Sequence, residues 1–214
     1  MTLLNRPQHT PPAPSAVTTT APSIEQVEPQ RHRWTPEDVY KMLKAGILVE
    51  GHGCELIDGE LFDVASQYNP HVAAVSRINR LLVAAFDESY WLTVQSTVRL
   101  RRGDLPEPDL AVRPGPEKAD PDFNPLPFLT IEVSDTTLLY DQIVKSSLYA
   151  ANGIQDYWVV NLIDRHVEVY RNPVPDTARR HGFRYASINT FSAGTKVSPL
   201  AAPQISFEVD RMLP

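Results

Sequence analysis

The segment from Glu107 to Val160 limits this chain to few folds, because buried-looking strands and one helix follow each other with almost no slack. Phe128 to Val133 is apolar except for Thr130 and Glu132 and reads as a buried strand. Leu138 to Ala151 has helical spacing, with Ser134, Asp135 or Thr136 as its cap, and stops at Asn152-Gly153. Gln155 to Leu162 contains Tyr157-Trp158-Val159-Val160 and reads as the next strand. A helix held between two apolar strands must lie across the sheet they belong to. Just upstream, Pro106 and Pro108 frame a further strand, Asp109-Leu110-Ala111-Val112-Arg113.

The remaining elements extend that sheet and cover it. Thr35-Pro36-Glu37-Asp38 is a helix start, with Thr35 as N-cap and Pro36 in the first helical position; Gly46 ends the helix. Cys54 to Val64 is a hairpin about Asp58-Gly59, a dipeptide suited to a turn with two positive φ angles. Asn69-Pro70-His71 opens the longest helix, to about Phe86, with Val72, Val75, Ile78, Leu82 and Phe86 at helical spacing. Trp91 to Leu100 alternates as a strand does, and Pro114 to Pro127 is a proline-broken loop. His166 to Tyr170 is a strand, and after a break at Pro173 to Pro175 more strands are expected near 183–188, 195–197 and 205–209. The expected fold class is α/β (α+β), a mixed central β-sheet flanked by helices with additional strands at the C-terminus. A length of 214 residues suits one domain, 34–214. Residues 1–33 hold six of the 20 prolines and the run Thr18-Thr19-Thr20, and read as a disordered Pro/Thr-rich leader.

Two carboxylates then call for explanation. Glu132 lies inside an apolar strand, where an unpartnered carboxylate is costly to bury. It is either paired with an arginine such as Arg113, at a wet edge, or one of two metal ligands with Asp109. Neighbouring strands about 4.8 Å apart would bring both acids to one cation. Magnesium, with manganese as a substitute, takes oxygen ligands and accepts phosphate oxygens, which suits metal-dependent phosphodiester cleavage. Lys145 either snorkels at the surface or turns inward to orient water or stabilise a pentavalent phosphate. Tyr149 shares its helix face, as a packing residue or as part of a cleft wall. Glu55 is a third acid, able to hold a second metal or position the first. His71 caps, packs or lines the cleft; Gln95 sits on the polar side of its strand, placed to line the cleft; Glu107, close to Asp109, is expected to face away.

Charge and composition narrow the classes. The net charge of −6 excludes a globally basic nucleic-acid binder, leaving small basic groups at Arg99, Arg101, Arg102 and at Arg179, Arg180, Arg184. An acidic balance also suits a divalent-cation site. Cys54 is the single cysteine, so no internal disulfide or cysteine-based zinc site forms. No apolar run approaches the roughly 18 residues of a membrane span, and no signal segment is visible, so a cytoplasmic location is expected. There is no Gly-rich phosphate loop, G-x-S-x-G elbow or H-E-x-x-H helix, and the six histidines lack ligand spacing.

With these residues in view, the chain resembles the Uma2 family, restriction-endonuclease-like proteins of the PD-(D/E)XK nuclease superfamily. The matching stretches are the segment from Cys54 to Leu61, Asn69-Pro70-His71, Pro108-Asp109, Leu129 to Ser134, Asp141 to Lys145, Tyr149 and Gly153 to Val159, with a similar pattern from Gly194 to Phe207. The resemblance implies a mixed sheet flanked by helices, Asp109 and Glu132 as metal ligands, DNA as substrate and a homodimer. The superfamily lysine falls two residues after the second acid, where this chain has Ser134; the resemblance points to Lys145, on the following helix, in its place. Two functions are carried forward: a magnesium-dependent DNA endonuclease, and a non-catalytic nucleic-acid-binding or assembly module on the same scaffold, which an outward-pointing Lys145 would favour.

Overall fold

Leu129, Ile131 and Val133 alternate along one strand with Thr130, Glu132 and Ser134, and this period of two separates the core into two layers. A computed structural model describes residues 31–49, 53–63, 67–118 and 125–214, and Arg33–Pro214 forms one compact unit. The expected leader, residues 1–33, lies outside the described residues save for its last three.

The chain begins with α1 (Pro36–Lys44) and the hairpin β1 (Cys54–Ile57) and β2 (Glu60–Asp63). The long helix α2 (Asn69–Ala85) follows, then β3 (Tyr90–Val94), β4 (Leu110–Pro114) and β5 (Leu129–Ser134). Residues 138–151 make one helical run, α3, which leads to β6 (Asp156–Asn161), β7 (His166–Pro175) and β8 (Phe183–Ser192). A short pair, β9 (Lys196–Val197) and β10 (Phe207–Glu208), and the turn of helix α4 (Val209–Met212) finish the chain. The six-stranded sheet has the order β3-β4-β5-β6-β7-β8. Only β5 and β6 are parallel, joined by α3, so the sheet is mixed.

Both central strands are buried along their whole length, which is why they read as nearly unbroken apolar runs. On one face Ala74, Val75, Ile78 and Leu82 of α2 pack on Leu110, Ile131, Trp158 and Val169. On the other, Leu148, Tyr149 and Ala150 of α3 pack on Ala111, Tyr157 and Val159. Glu132 belongs to the second face and is held against α3.

Several boundaries differ from the sequence reading. The strand expected over Trp91 to Leu100 ends at Val94, because Gln95 takes φ 45° and turns the chain out of the ladder. Val98 and Leu100 are still buried, but their N–H groups donate to the carbonyls of Pro106 and Asp104. Strand β7 continues through Pro173 and Pro175. Both prolines lie beyond Arg171, the last residue paired with β6, so β7 has only β8 beside it there and tolerates the missing donors as an edge strand does. The N-cap of α3 is Thr137, without a side-chain cap bond; none of Ser134, Asp135 and Thr136 caps it. Thr35 does cap α1, in a reciprocal capping box with Asp38.

The Asp58-Gly59 turn has φ of 52° and 73° at its two central residues, as the dipeptide demands. A Cβ added at Gly59 would lie 2.7 Å from the Arg33 Cβ, whereas one at Gly46, also at positive φ, meets nothing within 4 Å. Gly46→Ala should therefore cost about 1 kcal/mol, the left-handed penalty alone, and Gly59→Ala at least about 2 kcal/mol. Urea unfolding of the two variants checks this; equal losses would contradict the steric argument.

Candidate active site

The antiparallel ladder of β4 and β5 sets Leu110 against Ile131. One step further Asp109 faces Glu132, and there side chains take over from backbone acceptors. The Asp109 N–H donates to Glu132 Oε2 at 3.3 Å, and the Val133 N–H donates to Asp109 Oδ2 at 2.9 Å. Two strand ends are thus stitched together by the carboxylates they carry.

Asp109 is held from two further directions. His71, in the first turn of α2, places Nε2 3.0 Å from Asp109 Oδ2. Gln95, freed by its positive φ to face the strand end, donates from Nε2 to Asp109 Oδ1 at 3.2 Å. Burial alone would lower the His71 pKa, but the hydrogen bond and charge of Asp109, with the charges of Asp135 and Asp141, outweigh it and raise the pKa.

Lys145 is not a snorkelling surface residue. It is 7 % exposed, and its Nζ lies 3.0 Å from Glu132 Oε1, 3.0 Å from Glu55 Oε1 and 4.0 Å from Asp141 Oδ1. Glu55 reaches this point from β1, and its Oε1 also accepts the Glu107 N–H at 2.8 Å. Tyr149, one turn beyond Lys145, donates to Glu132 Oε1 at 2.8 Å; it is wholly buried behind Glu132 and is not on the cleft wall. Arg113 stacks over Trp91 and donates to the Thr97 carbonyl, whereas the side chains that bond Glu132 are those of Lys145 and Tyr149.

The aim of Lys145 rests on an irregularity of α3. Leu138–Tyr140 and Ser146–Ala151 are α-helical, but Asp141–Lys145 forms a π-helical turn in which the Ser146 N–H donates to the Asp141 carbonyl. That carbonyl also accepts the Tyr157 hydroxyl at 3.1 Å, a side chain inserted into the helix ladder from β6. Both acid and amine of the turn are buried facing Glu132. Asp141 was not singled out from the sequence, yet it is 3 % exposed and its Oδ2 accepts the hydroxyls of Ser134 and Thr137, each at 2.7 Å. Its signal was the four-residue spacing Asp141, Lys145, Tyr149 on one helix face. Glu107, expected to face away, lines the same cleft as Glu55, His71, Gln95, Asp109 and Glu132.

Three buried carboxylates (Glu55, Glu132 and Asp141) thus face one ammonium, and a fourth, Asp109, is held beside Glu132. Burial pushes the Glu132 pKa well above the usual range; Lys145 opposes this, while Asp141, Asp109 and Glu55 add to it. Asp141 is raised by burial in the same way. For Lys145 burial acts downward, but Glu132, Glu55 and Asp141 overcome it, and the amine stays an ammonium. Among the described residues no three His, Cys, Asp or Glu side chains form a ready-made metal cage. The surplus of hard oxygen donors nevertheless suits magnesium or manganese, which need only one or two carboxylates and complete their shell with water.

The mixed sheet thus carries two opposed acids on neighbouring strand ends, with a buried amine beside them. Residues 36–210 match the model of the Uma2 family, described as "Putative restriction endonuclease", and the chain belongs to that family. A crystal structure at 1.96 Å of "a putative nuclease belonging to DUF820" from Anabaena variabilis ATCC 29413 has a similar fold, with a TM-score of 0.60 and 15 % identity over 83 % of this chain and 96 % of that one. No curated protein matches the chain.

Removing the ammonium should leave the carboxylates uncompensated. Lys145→Met is expected to cost about 3–5 kcal/mol at neutral pH. Glu132 and Asp141 have folded pKa values above their unfolded ones, so their contribution is largest below the unfolded carboxyl value, about 4, and is lost as pH rises through the folded values. Lys145 offsets that loss through neutral pH, because its own raised pKa gives it a charge up to and beyond about 10. The variant's deficit should therefore be smaller near pH 5 than near pH 8 in urea unfolding, and a pH-independent deficit would contradict the account.

Proposed function

We propose that this chain is a divalent-metal-dependent DNA endonuclease with a PD-(D/E)XK-type site built from Asp109, Glu132 and Lys145, with Glu55 in support. The observation that carries the reading is the placement of the Lys145 ammonium 3.0 Å from Glu132, on the sheet end where Asp109 faces the same glutamate. Asp109 and Glu132 would hold the cation. When bound, magnesium or manganese supplies Lewis-acid activation of water and neutralises charge growing on the phosphate.

The protein's own groups do the rest. Hydrolysis joins a water oxygen to phosphorus and breaks a phosphorus–oxygen ester bond, leaving one phosphate monoester end and one hydroxyl end. An ammonium has three N–H donors; Lys145 donates to Glu132 at 3.0 Å and has the carboxylates of Glu55 and Asp141 at 3.0 and 4.0 Å. A donor exchanged from the longest of these contacts would orient water or stabilise a non-bridging phosphate oxygen as charge builds up. Tyr149 and the Asp109 N–H fix Glu132, while His71 and Gln95 fix Asp109, so neither acid must be reoriented when substrate enters. The same reading makes the enzyme a cytoplasmic homodimer, each copy addressing one strand. No helix among the described residues is long and apolar enough to cross a membrane. An amine turned to solvent would have favoured the non-catalytic alternative; the burial of Lys145 beside Glu132 supports the endonuclease reading.

The test is cleavage of supercoiled, linear and single-stranded DNA with magnesium or manganese. Asp109→Ala and Lys145→Met should each lose about 100-fold or more in rate, the scale of deleting a preorganised electrostatic group. A wild-type protein that cuts no form of DNA with either metal, or an Asp109→Ala protein that cuts normally, would overturn the proposal. Independently, millimolar magnesium should raise the melting temperature of the wild type but not of Asp109→Ala, since only a cation bound to the folded state stabilises it.

A further inference from the structure

The basic groups visible in the sequence are largely spent within the fold. Arg99 pairs with Glu37, Arg180 with Asp58, and Arg179 and Arg184 with Asp176. A denser cluster of positive charge lies elsewhere and is assembled from segments far apart in sequence. Arg77 and Arg80 stand three residues apart on the outward side of α2, with Leu81 and Ala84 continuing the same stripe. Opposite them stand Arg211 of α4 and Lys196 of β9, and Phe207 of β10 closes the floor. These side chains enclose a groove of about 660 Å³ with four cations and a single carboxylate, Glu208, whose partner is Lys196 at 3.7 Å. Arg77 donates to the Leu213 carbonyl, which fixes one wall. Arg80 and Arg211 are exposed and have no acceptor among the described residues.

The groove is remote from the acidic cleft. Both sites involve α2, but Arg80 is nine residues beyond His71, about 14 Å along the helix. The groove also belongs to the α2 side of the sheet, whereas Lys145 and Glu132 belong to the α3 side. Its volume is that of a small-molecule site, and its walls join apolar surface to guanidinium groups. Guanidinium forks match phosphate oxygens two at a time and gain most where no protein carboxylate competes.

We propose that this groove is a second, metal-independent phosphate site that takes a nucleotide-type ligand: a phosphate on Arg80 and Arg211, and a flat apolar body against Leu81, Ala84 and Phe207. A free nucleotide and the terminal nucleotide of a nucleic-acid strand share this chemistry. The site does not depend on nuclease activity.

Calorimetric titration of the full chain, with chelator present so that the acidic cleft holds no cation, separates the sources. The probes are inorganic phosphate, adenosine, adenosine monophosphate and a short single-stranded oligonucleotide bearing a terminal phosphate. Adenosine monophosphate should bind at least tenfold more tightly than either phosphate or adenosine. The double variant Arg80→Ala/Arg211→Ala should weaken that binding at least tenfold with an unchanged melting temperature, whereas Asp109→Ala should leave it intact. If only the oligonucleotide binds, and the double variant loses it, the phosphate site stands and its ligand is a strand end. Absence of saturable binding by every phosphate-bearing probe, or equal binding by the double variant, would overturn the proposal.

Discussion

A single ammonium in a pocket of carboxylates governs how the parts of this protein meet. Lys145 belongs to α3, Glu132 to β5 and Glu55 to the β1–β2 hairpin, and the amine is the point at which all three meet. Each acid alone would be expensive to bury, and so would the amine. Together they draw helix, sheet and hairpin to one point. Such a cluster contributes less to net stability than an apolar core of the same volume would, but its directional bonds fix one register of the three elements. The surplus of carboxylates over amines at that point is what the proposed cation would offset.

The layers on either side give that point its rigidity. Apolar residues of β4 to β7 facing α2 make a continuous core that includes Trp158, while the α3 side carries tyrosines: the ring of Tyr157 meets those of Tyr149, Tyr170 and Tyr185. Tyrosines are suited to that side because each offers a large apolar ring and a hydroxyl that can finish inside a polar cluster. Tyr149 ends on Glu132, Tyr157 on the Asp141 carbonyl, Tyr170 on Glu168 and Tyr185 on the Ile154 carbonyl. The polar site is therefore embedded in, and braced by, the aromatic layer beneath it.

How much of this was legible in the sequence follows from which interactions are local. The β5–α3–β6 unit, the long α2 and the Asp58-Gly59 turn are encoded by periodicity and dipeptide chemistry, and they stand where the pattern put them. The end of β3 was not legible, because nothing in the alternation from Trp91 to Leu100 announces a positive φ at Gln95. Prolines at 173 and 175 suggested a break, but their tolerance depends on where β6 stops, a tertiary fact. In the site, Asp109, Glu132 and Lys145 stood out as charges in apolar surroundings. Asp141 was overlooked because helices commonly carry exposed acids, whereas Glu107 stands two residues before Asp109, and the period of two that puts both on one side is what the structure shows.

The π-helical turn at Asp141–Lys145 ties the position of the amine to chain length as well as to side-chain identity. In an α-helix each residue advances the direction of its side chain by about 100°, so a helix one residue shorter here would present a different face to the sheet. Substitutions can trade one side chain for another at a fixed azimuth, but insertion or loss of a residue between Thr137 and Ser146 changes the azimuth itself. Carried on a helix, the amine is aimed by helical winding rather than by strand register, and the Tyr157 hydroxyl bonded to the Asp141 carbonyl shares in setting that aim.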